Sequence, residues 1–157
     1  MNQDIMSNLN THLPFLRKAG WFPSLIFLIH CILSLGFKAY DRMPWLDVPM
    51  HLLGGVAIAY FFDIVLQHLD RLGRMRIGSR QAALLMILGL TGTATVLWEF
   101  AEFLADALFH LGAQRSIANT MKDQFMGLLG GLGYLGLFHR LTPSPAAAPD
   151  VGAKSSC

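Results

Sequence analysis

Four long apolar runs, separated by clumps of charge, organise this chain. The first extends from Trp21 to Phe37, between Lys18 and Lys38. The second runs from Val48 to about His68 and is broken by Asp63. The third begins at Gln81, after Arg80, and reaches about Ala105 with Glu99 and Glu102 near its end. The fourth, Gln124 to His139, lies between Asp123 and Arg140. A helix crossing the hydrocarbon layer needs about 20 residues, in a range of about 17–25. Runs one and four fall slightly short, but they can borrow flanking Lys, Arg or Trp, whose side chains tolerate the interface. The pattern predicts spans near 21–39, 48–68, 81–105 and 123–140. The expected class is therefore all-α, a polytopic membrane protein built as a four-transmembrane-helix bundle.

Outside the runs, Ile5, Leu9, Leu13 and Leu16 stand near helical spacing. Residues 1–20 thus read either as an interfacial amphipathic helix or as a loose polar segment. Residues 21–141 make the transmembrane domain. Residues 142–157, rich in Pro, Ala and Ser, read as a disordered tail. No small-x-small cleavage pattern follows the first run, so it is expected to stay as an anchor.

Composition strengthens the membrane reading. Apolar residues make up 54% of the 157 and charged residues 14%, against about 25% charged in soluble domains. Mean hydropathy is +0.46. A net charge of +2 is too small for a nucleic-acid binder. The two cysteines, Cys31 inside an apolar run and Cys157 at the last position, do not make a disulfide scaffold.

The basic residues orient the spans, because cytoplasmic loops carry excess Lys and Arg. Arg17, Lys18, Arg71, Arg74, Arg76, Arg80, Arg140 and Lys154 fall on one side of a four-span protein. Lys38, Arg42, Arg115 and Lys122 fall on the other. Both termini are therefore expected in the cytoplasm.

That topology gathers the acids into a layer. Asp47 and His51 lie at the outer end of the second span, Glu99, Glu102 and Asp106 at the outer end of the third, and Asn119 and Asp123 ahead of the fourth. Offsets of three and four residues put each set on one helix face. Ionisable groups at membrane depth usually face the bundle interior or a water-filled cavity. Several carboxylates brought together repel unless they share protons or a cation. Asp47, His51, Glu99, Glu102 and Asp123 are therefore candidate ligands of a divalent metal ion; oxygen donors with one imidazole suit Zn, Mn, Fe or Mg better than copper. Glu99 and Asp123 are the candidate catalytic acids or bases.

Simpler roles stand beside these. Asp47, two residues before Pro49, could cap its helix; Asp123 could merely open the last helix. His51 could be a satisfied interfacial residue, and Glu102 and Asp106 could lie in water or pair with Arg115 or Lys122. Asp63 could pair with a loop Arg, snorkel to the interface, or belong to a proton path. Gly127-x-x-x-Gly131 permits a close helix contact, within the chain or in an oligomer.

The strings Asp47-Val48-Pro49-Met50-His51-Leu52-Leu53-Gly54-Gly55, Trp98-Glu99-Phe100-Ala101-Glu102, Asn119-Thr120-Met121-Lys122-Asp123 and Gly127-Leu128-Leu129-Gly130 occur in this order. Together they resemble the YjdF-type small bacterial membrane proteins and, more distantly, the VanZ-like family. The resemblance implies a helical protein of the bacterial inner membrane. Two functions follow as expectations. One is an outward-facing, metal-assisted site acting on a membrane lipid or lipid-linked substrate. The other is a non-enzymatic cation or proton site in a small transporter or accessory subunit.

Overall fold

The computed structural model describes residues 2–110, 112 and 115–138, with backbone alone for 2–12. Helix α1 covers Asn2–Cys31 and ends in a π-helical turn, Ile32–Gly36. A single turn, α2 (Ala39–Arg42), and a 3₁₀ turn, Pro44–Leu46, lead into α3 (Asp47–Arg71). Helices α4 (Arg80–Phe109) and α5 (Ile117–Leu137) follow. No strand occurs among the described residues.

Serines start the last two helices. The hydroxyl oxygens of Ser79 and Ser116 accept from the N–H groups of Ala82 and Asn119, each at 3.1 Å, satisfying donors that a helix start leaves free. Asp123 therefore does not open α5; it sits nearly two turns inside. Asp47 does not cap α3 either, since Leu46 holds that position without a side-chain bond.

Among the described residues, three helical stretches, Leu13–Gly36, Pro44–Arg71 and Arg80–Phe109, are long and apolar enough to cross a membrane. The expected fourth is not. Asn119, Thr120, Lys122, Asp123 and Gln124 fill the early turns of α5, and glycines recur after them. Its large apolar residues Met121, Phe125, Leu129 and Leu132 are confined to the exposed side. The covered side carries Asp123, Gly127, Gly130 and Gly131, with Tyr134 and Leu135 joining the core only near the end of the helix.

Helix α3 is the centre of the bundle. It packs on α1, α4 and, most extensively, α5. A Cβ on Gly55 would collide with the Gly127 carbonyl, and one on Gly130 with the Leu52 carbonyl. These glycines let the two backbones touch. Gly127 also faces Thr95, and Gly131 faces Thr91. The Gly127/Gly131 face thus makes its close contact inside the chain, where both glycines are buried.

Helix limits differ from those expected. Helix α1 runs unbroken from the N-terminal segment into the first span, α4 continues to Phe109, and α5 begins six residues before position 123. The expected tail, 142–157, lies outside the described residues.

Candidate functional site

His51 stands where α3, α4 and α5 converge. Its Nε2 lies 3.3 Å from Asp47 Oδ1, one turn back on α3, and 3.9 Å from Asp123 Oδ2 on α5. Its Nδ1 faces Glu99 Oε1 on α4 at 3.9 Å. Glu102 completes the α4 side: one ligand atom each from His51, Glu99 and Glu102 can be chosen within 4.8 Å of one another. The same holds for Asp47, His51 and Asp123. Two ligands on one ion, at bonds of about 2.0–2.6 Å, lie at most roughly 5 Å apart. Either trio is therefore compact enough to surround a cation, and His51 belongs to both. All five residues singled out in the sequence meet here.

The two trios are not equivalent. Lys122 sits beside the first, with Nζ 3.4 Å from Asp47 Oδ2 and 3.2 Å from Asp123 Oδ1. Asn119 bridges the same acids: its Nδ2 donates to Asp47 Oδ2 at 3.1 Å and to Asp123 Oδ2 in a short bond. Its Oδ1 accepts from Lys122 at 2.9 Å. On the α4 side, Glu102 Oε1 accepts from the Trp98 indole at 2.8 Å, and Glu99 has Thr120 as a side-chain partner. Glu99 is 4% exposed and Asp123 0%. Glu99 Oε1 receives no hydrogen bond, and Asp123 Oδ1 has only the Lys122 ion pair beside it. Burying an acceptor without a donor is costly.

Four carboxyl groups thus surround one lysine and one histidine. Even with His51 protonated, the acids outnumber the cations, so protons or a bound ion must make up the difference.

Several partners differ from those expected. Lys122 serves Asp47 and Asp123 rather than Glu102. Arg115 donates from Nη2 to the Tyr40 carbonyl at 2.5 Å. Asp63 lies far along α3, 2% exposed, and its oxygens accept from Gln67 at 2.9 Å and Tyr134 at 2.8 Å. Sequence reasoning missed Trp98 and Tyr40. Trp98 was detectable, being four residues before Glu102 and hence on the same face. Tyr40 was not, because its link to His30 Nδ1 (3.0 Å) depends on how the loop folds back on α1. Burial, with Asp47 nearby, pushes the Tyr40 hydroxyl up to about 12.

Over residues 7–143 the chain matches the family described as "Predicted membrane protein (DUF2238)". It belongs to that family. An "Uncharacterized protein" of Thermotoga maritima is 32% identical over 121 residues, covering 76% of this chain and 61% of the relative. The chain therefore spans about three fifths of that relative's length. No solved structure matches. Membership in this family accords with the YjdF-type resemblance and does not extend to a VanZ-like one. With three helices able to cross a bilayer, it makes this a membrane-embedded protein whose acids lie near one end of its spans.

Proposed function

We propose that this protein is a four-span protein of the bacterial inner membrane, termini in the cytoplasm, whose acid cluster opens outward, holds a divalent cation and acts on a lipid or lipid-linked substrate. In this reading α5 is the fourth span, admitted because α3 and α4 cover its polar side. The observation that carries the cation is Glu99: an almost fully buried carboxyl, facing His51, with an oxygen that no donor reaches.

The Glu99–Glu102–His51 trio is the favoured place for the ion. Lys122 already lends positive charge to Asp47 and Asp123, whereas no Lys or Arg is paired with Glu99 or Glu102 among the described residues. A divalent ion there would supply Lewis acidity toward an ester or phosphate oxygen. Asp123, within reach of His51 and Lys122, is positioned to accept a proton as general base. Asp47 and Asn119 hold the His51 and Asp123 side chains in place.

The competing reading is a cation or proton site without bond breaking. Asp63 favours it as a further buried acid, farther along α3 from His51. Its oxygens already accept hydrogen bonds from Gln67 and Tyr134, which suits a packing role better than a relay.

Metal analysis of the purified protein tests the reading. About one divalent ion per chain is expected in the wild type, with loss in Glu99→Gln and in His51→Ala. A wild type that takes up no ion, even after dialysis against Zn²⁺, Mn²⁺ or Mg²⁺, overturns it.

A further inference from the structure

Two chambers meet beside the acid cluster. One, of about 240 Å³, lies between α1, α3 and α4; Pro23, Ile26, Met50, Gly54 and Ile58 line it, and His51 stands on its wall. The other, of about 460 Å³, adjoins Asp47 and Glu102 and carries Lys38, His110 and Arg115. Phe27, His30 and Trp98 border both. The first chamber is apolar and the second charged, so together they have the polarity of an amphiphile.

The apolar chamber opens sideways. Helix α1 packs along α3 but scarcely touches α4. Ring contacts such as Phe27 on Trp98, edge to face at 5.9 Å, lie between the two helices. The slot follows α3 from Met50 to Ile58, about 12 Å of helix. Its volume is below the about 300–1,000 Å³ of drug-sized pockets, which fits one hydrocarbon chain better than two.

The charged chamber favours an anion once an ion is present. Asp41, Asp47 and Glu102 line it against Lys38 and Arg115. A divalent ion on Glu99, Glu102 and His51 would reverse that small negative excess. Arg115 spends one donor on the Tyr40 carbonyl, leaving others in the planar fork that suits phosphate. Lys38 and His110, both on this wall, have positive φ of 47° and 55°, a backbone state that side-chain-bearing residues rarely adopt outside special sites.

We propose that the two chambers form one site for a single-chain phosphomonoester lipid. Its hydrocarbon chain enters between α1 and α4, and its phosphate lies between the acid cluster and the Lys38/Arg115 wall. This rests on the lipid-site reading above and names its substrate class.

Native mass spectrometry of the full chain in detergent provides the test. Dodecyl phosphate is the probe, with dodecanol, dodecyltrimethylammonium and inorganic phosphate as comparisons, and ion content is measured on the same samples. One dodecyl phosphate per chain is expected, bound more tightly with the divalent ion than after EDTA. Arg115→Gln should weaken it about tenfold or more, as loss of a charge-assisted hydrogen bond predicts. Gly54→Leu should abolish the adduct and leave ion content unchanged, because a Cβ there meets nothing within 4 Å. Ile26→Trp, from the opposite wall, repeats the test should Gly54→Leu fold poorly. An ion-loaded protein that binds no dodecyl phosphate, or that binds dodecyltrimethylammonium equally well, overturns the inference while sparing the cation site. Retention of the adduct in both slot-filling variants also overturns it. An adduct that the slot-filling variants abolish in a protein holding no ion sinks the cation reading and leaves the lipid site standing.

Discussion

Asp63 and Glu99 are buried to nearly the same extent, 2% and 4% exposed, yet their surroundings are opposite. Both oxygens of Asp63 accept hydrogen bonds, one from Gln67 a turn away and one from Tyr134 on α5. Tyr134 in turn packs edge to face on Tyr60, whose hydroxyl donates to the Lys18 carbonyl at 2.7 Å. That acid ties α1, α3 and α5 together. Glu99 Oε1 faces His51 and receives no hydrogen bond, although Thr120 is a side-chain partner of the same carboxyl, whereas Asp123 Oδ1 has the Lys122 ammonium at 3.2 Å. A satisfied buried acid is explained by the fold it joins. An unsatisfied one, crowded by others, has a cost that packing does not repay.

The largest expected effect comes from breaking what both regions share, the α3–α5 contact. Gly130→Leu drives a side chain into the Leu52 backbone. It should cost about 3 kcal/mol or more, read as loss of the thermal transition and of ion binding together. A stable Gly130→Leu protein would show that the helices need not touch. Next is Glu99→Gln. Bound ion should fall to background, while stability in ion-free buffer stays level or rises because one repelling charge is gone. Retained ion would move the site away from Glu99. Tyr134→Phe should do the reverse, lowering stability by about 1–3 kcal/mol as Asp63 loses a donor, with ion content untouched. Coupled loss of ion would mean that the two regions form one network. Asp63→Asn keeps size and one acceptor, so about 1 kcal/mol is expected, again with full ion content. The smallest effect concerns Tyr40, beside the open cluster. Its raised value of about 12, against about 10 unfolded, favours the folded state at neutral pH. That contribution is complete below about pH 10 and is lost as pH climbs through 12. Phenolate absorbance should therefore appear later in the folded protein than in its unfolded form, and simultaneous titration would place Tyr40 in open solvent.

Much of the site was legible before folding was considered. Offsets of three and four residues put Asp47 with His51, Glu99 with Glu102, and Asn119 with Asp123 on common faces, and the helices observed keep those faces. The convergence of the three helices on His51 was legible too, but the individual partners of Lys122 and Asp63 were not. Sequence leaves Glu102 and Asp106 in water or beside Arg115 or Lys122, whereas the rotation of α5 turns Lys122 to Asp47 and Asp123. Sequence offers Asp63 a loop Arg, the interface or a proton path, while Tyr134, 71 positions away, donates to it. The fourth apolar run falls short of a full span, yet the pattern alone still makes it one. Its glycines and polar first turns were in plain view, but what they meant depended on what would cover them.

The sequence by itself determined the helices, the three strongly apolar stretches and the faces on which the acids ride. Periodicity and hydropathy are properties of neighbours along the chain, and a helix obeys them wherever it packs. Only the tertiary structure decided which buried acid is satisfied and which is left open. That choice depends on the azimuth and approach of α5 against α3, set where Gly55, Gly127 and Gly130 let two backbones touch. Hydrogen bonds act over about 3 Å, so a rotation of one helix by a single residue would exchange the partners of Asp63, Glu99 and Asp123 without altering the helical pattern.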